Sequence, residues 1–263
     1  MKSVYTGDEK VAEFESYDEL RVGENKPAFI YEGNEIVYPN PVKDGLVLWY
    51  DFSGRTNADS QRGIAEDLSG NGNHGTLQNF NYTPESGYDK NKLLSDGVDD
   101  NILVPKNDSL NITGDITLEI VIDSKETTND WRWFLSTANN ATHESGYSLY
   151  QHPTNRHGIA FGYKGHFLKN SEYKLVDLKK YYIAGVSENG THRLYINGEI
   201  VSEETTKKES GVDFRDLRIM RASYYSSPHF KGGVGSTRIY SKALTPEEVA
   251  HNYAIEKERF GIE

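Results

Sequence analysis

The sequence predicts an all-β protein, an antiparallel sandwich with a small β appendage at its N-terminus and one short helix at its C-terminus. Three observations lead to that class. Apolar residues recur with period 2 in Gly45–Phe52 and Ile116–Ile122, which sends successive side chains to opposite faces of a strand. Asn189-Gly190 and Asn197-Gly198 separate apolar runs, and Asn-Gly supplies the positive φ that type I′ hairpin turns require. A convincing helix start occurs once, at Thr245-Pro246-Glu247-Glu248, a capping box with proline at the first helical position.

Along the chain, residues 1–43 carry a short repeat. Val4–Val11 and Ile30–Val37 both read apolar-Tyr-x-Gly-Asp/Asn-Glu-x-Val. Gly-Asp or Gly-Asn between apolar runs suits a two-residue turn with glycine first, so two small hairpins are expected. An isolated hairpin is marginal in water, and exposed strand edges pair with whatever strand is near, so this segment is expected to attach to another surface or self-associate. Pro39-Asn40-Pro41 restricts the residue before each proline and marks the boundary to a main domain at 44–263.

Within the main domain, Ile116–Ile122 reads as a strand, and Gly146–His152 is joined to Gly158–Tyr163 through Pro153–Asn155. Tyr181–Ser187, His192–Ile196 and Glu199–Glu203 form a meander through the two Asn-Gly turns, and Leu217–Arg221 and Val234–Tyr240 complete the set. The helix runs from Thr245 toward a stop at Gly261, with Val249 and Tyr253 expected to dock it at the sandwich rim.

Composition removes several function classes. A chain of 263 residues buries roughly three quarters of its extended surface on folding, so neither disulfide nor metal is needed for a core. The absence of cysteine excludes disulfide scaffolds, thiol nucleophiles and zinc ribbons. No run of about 18 apolar residues occurs and Met1–Gly7 has no apolar stretch, so neither a membrane span nor a secretion signal is expected. The formal charge is −11 with no basic run longer than Lys179-Lys180 or Lys207-Lys208, which sets nucleic acid aside as a partner.

The candidate binding chemistry is aromatic. Trp131, Trp133, His143, Tyr147, Tyr150, His152, His157, Tyr163 and His166 crowd one window, and Tyr224, Tyr225 and His229 form a second group. Aromatic faces stack on sugar rings while histidine directs hydrogen bonds, a composition suited to a shallow glycan site. Trp131 and Trp133 flank Arg132 at i and i+2 and share a face of an extended segment, after an Asn129-Asp130 turn signal. The candidate ligand-binding residues are therefore Trp131, Trp133, Tyr150, His152, Tyr224, Tyr225 and His229. The competing account is that the tryptophans are buried core, as large aromatics usually are.

Gly45–Phe52 is followed by Leu68-Ser-Gly-Asn-Gly-Asn-His-Gly-Thr-Leu77, then by Leu94–Pro105, Tyr182–Val186, Arg193–Val201 and Gly235–Glu248. In that order these segments resemble a laminin G-like, or concanavalin A-like, jelly-roll domain over residues 44–259. The resemblance implies a jelly-roll β-sandwich; it does not fix function, because this sandwich hosts lectins, carbohydrate-binding modules, adhesion domains and a few enzymes. It also implies a structural Ca²⁺, with Asp67, Asn71 and Asp99 as candidate ligands beside Asn73 and Asp100. The family's acidic pair before the last strand is here Gly235-Ser236, and Asp67 and Asn71 suit Asx-turns equally well.

Catalysis is not expected. Glucanases on this sandwich align three carboxylates as Glu-x-Asp-x-x-Glu on one strand. Glu119 and Asp123 share a strand face at the wrong separation, with no third acid, and read as part of a half-exposed edge strand. Gly232–Thr237 lacks the lysine of a phosphate loop.

Two Tyr-x-Gly-Asp/Asn-Glu hairpins leading through Pro39-Asn40-Pro41 into such a domain, with Ala254–Gly261 at the end, resemble tail-associated proteins of phages that infect Gram-positive bacteria. That resemblance implies a virion protein assembled in the bacterial cytoplasm, with host cell-surface glycan, other tail proteins and copies of the same chain as partners. A purely architectural virion decoration and a non-catalytic carbohydrate-binding accessory of a bacterial polysaccharide-active system are the alternatives.

Overall fold

The computed structural model describes residues 2–6, 9–14, 27–33, 35–125, 130–138, 145–152, 158–170, 175–206, 214–224 and 229–263, with backbone alone at 2–6, 9–14 and 170. The chain divides into two compact units, Met1–Pro41 and Val42–Glu263. In the first unit β1 (Lys2–Thr6) pairs with β2 (Glu9–Phe14), and β3 (Ile30–Glu32) with β4 (Glu35–Tyr38), both antiparallel. These are the two repeated hairpins. Gly33 takes the left-handed φ of +62° that its turn position requires, whereas Gly7, Asp8 and Asn34 lie outside the described residues.

The second unit continues with β5 (Leu46–Asp51), β6 (Ile64–Ala65), β7 (Gly75–Gln78), β8 (Gly87–Asp89), β9 (Lys92–Asp96) and β10 (Asn101–Val104). Then come β11 (Ile116–Ser124), β12 (Arg132–Ser136), β13 (Tyr147–His152), β14 (Gly158–Tyr163) and β15 (His166–Asn170). The meander β16 (Lys180–Glu188), β17 (Thr191–Ile196) and β18 (Glu199–Thr205) precedes β19 (Leu217–Ile219), β20 (Lys231–Tyr240) and the helix α1 (Pro246–Phe260). One sheet has the order β15-β14-β13-β12-β19-β10-β7-β6 and the other β18-β17-β16-β11-β20-β9-β8, with β5 also paired to β20. The long β20 reaches both β9, through Lys231–Val234, and β5, through Ser236–Tyr240. Asn189, Gly190, Asn197 and Gly198 all have φ between 48° and 81°, as type I′ turns require.

Strand alternation places the core between the sheets. Leu149, Ile159, Phe161 and Ile219 of the first sheet meet Leu118, Ile120, Ile183, Leu194 and Ile239 of the second in one buried cluster. The sheets approach closely at Gly185, where a Cβ would lie 2.5 Å from the Phe161 ring. Only glycine leaves room for that ring.

The outer face of the second sheet is covered by α1, which corrects two expectations. The helix begins at its capping box, Thr245 with Glu248, and ends at Gly261 with φ +62°. It lies on the sheet face rather than at the rim, through Val249, Asn252, Glu256 and Phe260. Beneath it, β11 is a central strand paired on both sides, so Glu119 does not belong to a half-exposed edge. Glu119 is 1 % exposed and accepts from Tyr182 Oη (2.5 Å), Arg238 Nη1 (3.1 Å) and Asn252 Nδ2 (3.0 and 3.1 Å). Arg238 also pairs with Glu256, and Arg259 links Glu256 to Asp51. Every carboxylate in this layer has a cation, which is the condition for tolerating buried charge.

Candidate functional site

The outer face of the first sheet carries a second, separate apolar cluster. Its centre is Trp133 on β12 and Tyr150 on β13, each 1 % exposed, over Ala160 of β14 and beside Ala222. Trp133 and Tyr150 are cross-strand partners, their ring centroids 4.6 Å apart and stacked. Neighbouring Phe134, Leu149 and Phe161 point into the main core, so alternation sends these aromatics outward. The register shift between Trp133 and Leu135 lets Phe134 and Leu135 both face inward.

Half-buried rings surround this centre. Trp131 lies parallel to Trp133, centroids 6.0 Å apart and planes at 10°, and makes an edge contact with His152 at 4.4 Å. Tyr224 meets Trp133 edge-on at 5.6 Å, and Phe167 packs against the same group. Five of the seven candidate ligand residues, Trp131, Trp133, Tyr150, His152 and Tyr224, are thus one assembly. Tyr225 lies outside the described residues. Trp133 and Tyr150 present no face to solvent; they support Trp131, His152 and Tyr224, which do. Burial, with Tyr224 nearby, pushes the Tyr150 phenol well above its ordinary range, so it stays neutral.

His229 is 9 % exposed and sits beyond this group, within the field of Arg221 and Arg132. Burial first, then the Arg221 guanidinium and more weakly that of Arg132, hold its imidazole below the ordinary range against the opposing carboxylates of Asp99 and Asp96. Neither arginine was singled out by sequence reasoning, although Arg132 stands between the two tryptophans.

The candidate metal residues separate onto two loops. Asp67 is a hydrogen-bond hub: Oδ1 accepts from the N–H groups of Trp49 (2.9 Å) and Ser69 (3.0 Å), and Oδ2 from Ser69 Oγ (2.8 Å) and the Asn73 N–H (2.9 Å). Asn71 Nδ2 donates to the Leu46 carbonyl and Ser69 Oγ, each at 3.0 Å. Both carboxylate oxygens of Asp67 already accept two bonds, so this loop does not fit a metal and is ordered as an Asx-type turn. Asp99 instead joins Asp96 and Asp100, whose carboxylate oxygens lie within 4.8 Å of one another. Within that group the Val98 N–H donates to Asp96, and Ser86 Oγ and the Asp96 N–H donate to Asp100. Burial pushes the Asp100 carboxyl up to about 6.

Elsewhere, a polar cavity of about 380 Å³ opens at one end of the sandwich, lined by Asp115, Tyr163, Lys164 and His192 among others. It shares no lining residue with the aromatic assembly. No helix among the described residues is long and apolar enough to cross a membrane.

Comparison with known proteins places the fold. Residues 96–250 match the laminin G family model described as the concanavalin A-like lectin/glucanases superfamily. No curated protein sequence matches the chain. Among solved structures, the Trypanosoma rangeli sialidase in complex with sialic acid is similar at 14% identity and a TM-score of 0.61, over 83% of this chain and 34% of that one. The receptor binding domain of botulinum neurotoxin C/D mosaic serotype is similar at 15% identity and a TM-score of 0.59, over 81% of this chain and 52% of that one. The chain therefore spans about a third of the sialidase and half of the neurotoxin domain, and at these identities the likeness is one of fold.

Proposed function

The chain belongs to the concanavalin A-like lectin/glucanases superfamily, and from that premise we propose that it is a non-catalytic glycan-binding protein of a phage tail or baseplate, used in adsorption to the host surface. The observation that carries this reading is the aromatic assembly. Trp131 is held parallel on a buried Trp133 with His152 and Tyr224 at its sides, so a rigid ring is offered without being free to collapse. Rigid aromatic anchors with a polar rim are where binding energy concentrates.

A non-catalytic role is supported by the state of the strand carboxylates. Glu119 is buried under α1 and engaged by four hydrogen bonds, and Asp123 is paired with Lys92. Neither is placed to serve as an acid or nucleophile on a bound sugar. The repeated hairpins of the first compact unit support attachment to other tail proteins or to further copies, since two-stranded sheets are marginal alone and their edges can recruit strands.

The test is host-wall and glycan-array binding by the full chain and by Trp131→Ala/Tyr224→Ala. Loss of binding in a folded double variant is expected, and undiminished binding refutes the site. Deleting residues 1–41 should leave the sandwich folded and abolish incorporation into virions. The architectural alternative draws on the burial of Trp133 and Tyr150, and is favoured if the wild type binds no glycan.

A further inference from the structure

Beside the aromatic assembly, the backbone brings Arg221 and His229 level with Trp133, and Arg132 lies within electrostatic reach of His229. The Met220 N–H donates to the Phe134 carbonyl (2.8 Å), and the Phe230 N–H donates to the Met220 carbonyl (3.0 Å). The three segments therefore run side by side, and Arg221 comes level with Trp133 on one flank and His229 on the other. Phe134, Met220 and Phe230 belong to the main core, whereas Trp133 faces outward. Arg132 precedes Trp133 on the same strand and donates through Nη1 to the Trp131 carbonyl at 3.2 Å.

Three nitrogen atoms here lack, among the described residues, the partners that burial normally demands: Arg221 Nε, Arg132 Nε and His229 Nε2 are all buried without a hydrogen-bond acceptor. Among the described residues, no carboxylate lies within 4.0 Å of Arg221, and the one near Arg132 is the exposed Asp130 at 3.9 Å. Asp99 and Asp96 oppose the effect of Arg221 on His229, but neither hydrogen-bonds its Nε2 among the described residues. Desolvated donors left unmatched cost free energy, so the arrangement is explained if a ligand supplies the acceptor. In a chain of formal charge −11, a local basic focus is not a product of composition.

We propose that Arg221, Arg132 and His229 form a subsite for the anionic group, a carboxylate or a phosphate, of an acidic glycan whose sugar ring rests on Trp131. The inference builds on the glycan-binding reading above and names its substrate class. Guanidinium groups match both anions through paired N–H donors, and hydrogen bonds to ionised acceptors are stronger than neutral ones. No covalent step is involved.

The experiment is an array of matched acidic and neutral glycans, carrying uronate, sialate and glycerol-phosphate members beside uncharged counterparts, probed with the full chain. Hits are expected on acidic members, with binding that weakens as salt is raised. On a hit, Arg221→Gln and Arg132→Gln should each weaken binding by about tenfold or more while the melting temperature holds. Trp131→Ala should weaken every hit. Uronate hits without glycerol-phosphate hits assign a carboxylate ligand, and the reverse assigns a phosphate. Neutral hits that both arginine variants leave unchanged overturn the anion subsite alone, whereas no hit of either kind overturns the glycan-binding reading with it. If Arg221→Gln does not fold, Arg132→Gln decides by the same criterion.

Discussion

Replacing Arg238 by methionine tests how α1 is fastened to the sandwich. Arg238 is 1 % exposed and bridges Glu119, equally buried, to Glu256, which is fully buried. Without it, Glu256 keeps Arg259 Nη1 at 3.4 Å, but Glu119 keeps only the neutral donors Tyr182 Oη and Asn252 Nδ2. Glu119 becomes a buried charge with no cation. Removing one partner of a buried pair costs about 3–5 kcal/mol. For a domain of this size that loss lowers the melting temperature by about 6–20 °C. Urea unfolding followed by tryptophan fluorescence suits the measurement, because Arg238 lies 5.7 Å over the ring of the buried Trp49. Adding Glu119→Gln should recover part of the loss, since it removes the stranded charge and keeps its shape. A loss below about 1 kcal/mol, the scale of an exposed ion pair, would refute the account of the helix as clamped by this network.

Further outcomes follow from other contacts. Asp67→Ala should cost at least about 2 kcal/mol by stranding the N–H groups of Trp49 and Asn73, read by chemical denaturation. A chelator should leave the wild-type melting curve unchanged, and a lowered curve would assign bound calcium to Asp96, Asp99 and Asp100. Burial, with His166 and Lys164 nearby, pushes the His192 imidazole down to about 4. That lies below the unfolded value of about 6.5, so its stabilising share is present above pH 6.5 and lost as pH falls toward 4. His192→Gln should remove that part of the acid dependence. Asp100 has the opposite sign: raised to about 6, its share is full below about pH 4 and lost as pH rises through 6, so Asp100→Asn should steepen the acid loss. Gly185→Ala should cost about 1–3 kcal/mol by forcing the Phe161 ring aside, and a neutral effect in a denaturation series would contradict the sheet packing.

What the sequence revealed was local. The Asn-Gly turns, the Thr245 capping box and the period-2 strands depend on neighbours a few residues away, and they stand where the pattern placed them. Pairing across long separations was not legible: β19 joins β10 to β12 although Arg218 and Leu103 lie far apart in the chain. Glu119 was misread for the same reason, because its burial depends on Arg238, Asn252 and Glu256, none of them near it in sequence. For the aromatic residues, the shared face of Trp131 and Trp133 followed from i, i+2 spacing, but which ring covers the other depends on tertiary packing. Asp67 carried an Asx-turn signal and a calcium signal together, and its four donors separate them. Arg221 gave no signal at all, since what marks it is a buried Nε with no hydrogen-bond partner among the described residues.

The central claim is that Trp131 is a binding face and Trp133 its buried support, and calorimetric titration of one array-positive glycan into three proteins tests it most directly. The wild type should bind, and Trp131→Ala should bind at least about 30-fold more weakly, a loss of about 2 kcal/mol as at other aromatic hot spots, with its melting temperature nearly unchanged. Trp133→Ala should instead lose about 3–5 kcal/mol of folding stability, the cost of emptying a packed aromatic site. A folded Trp131→Ala protein that binds as tightly as the wild type would contradict the account.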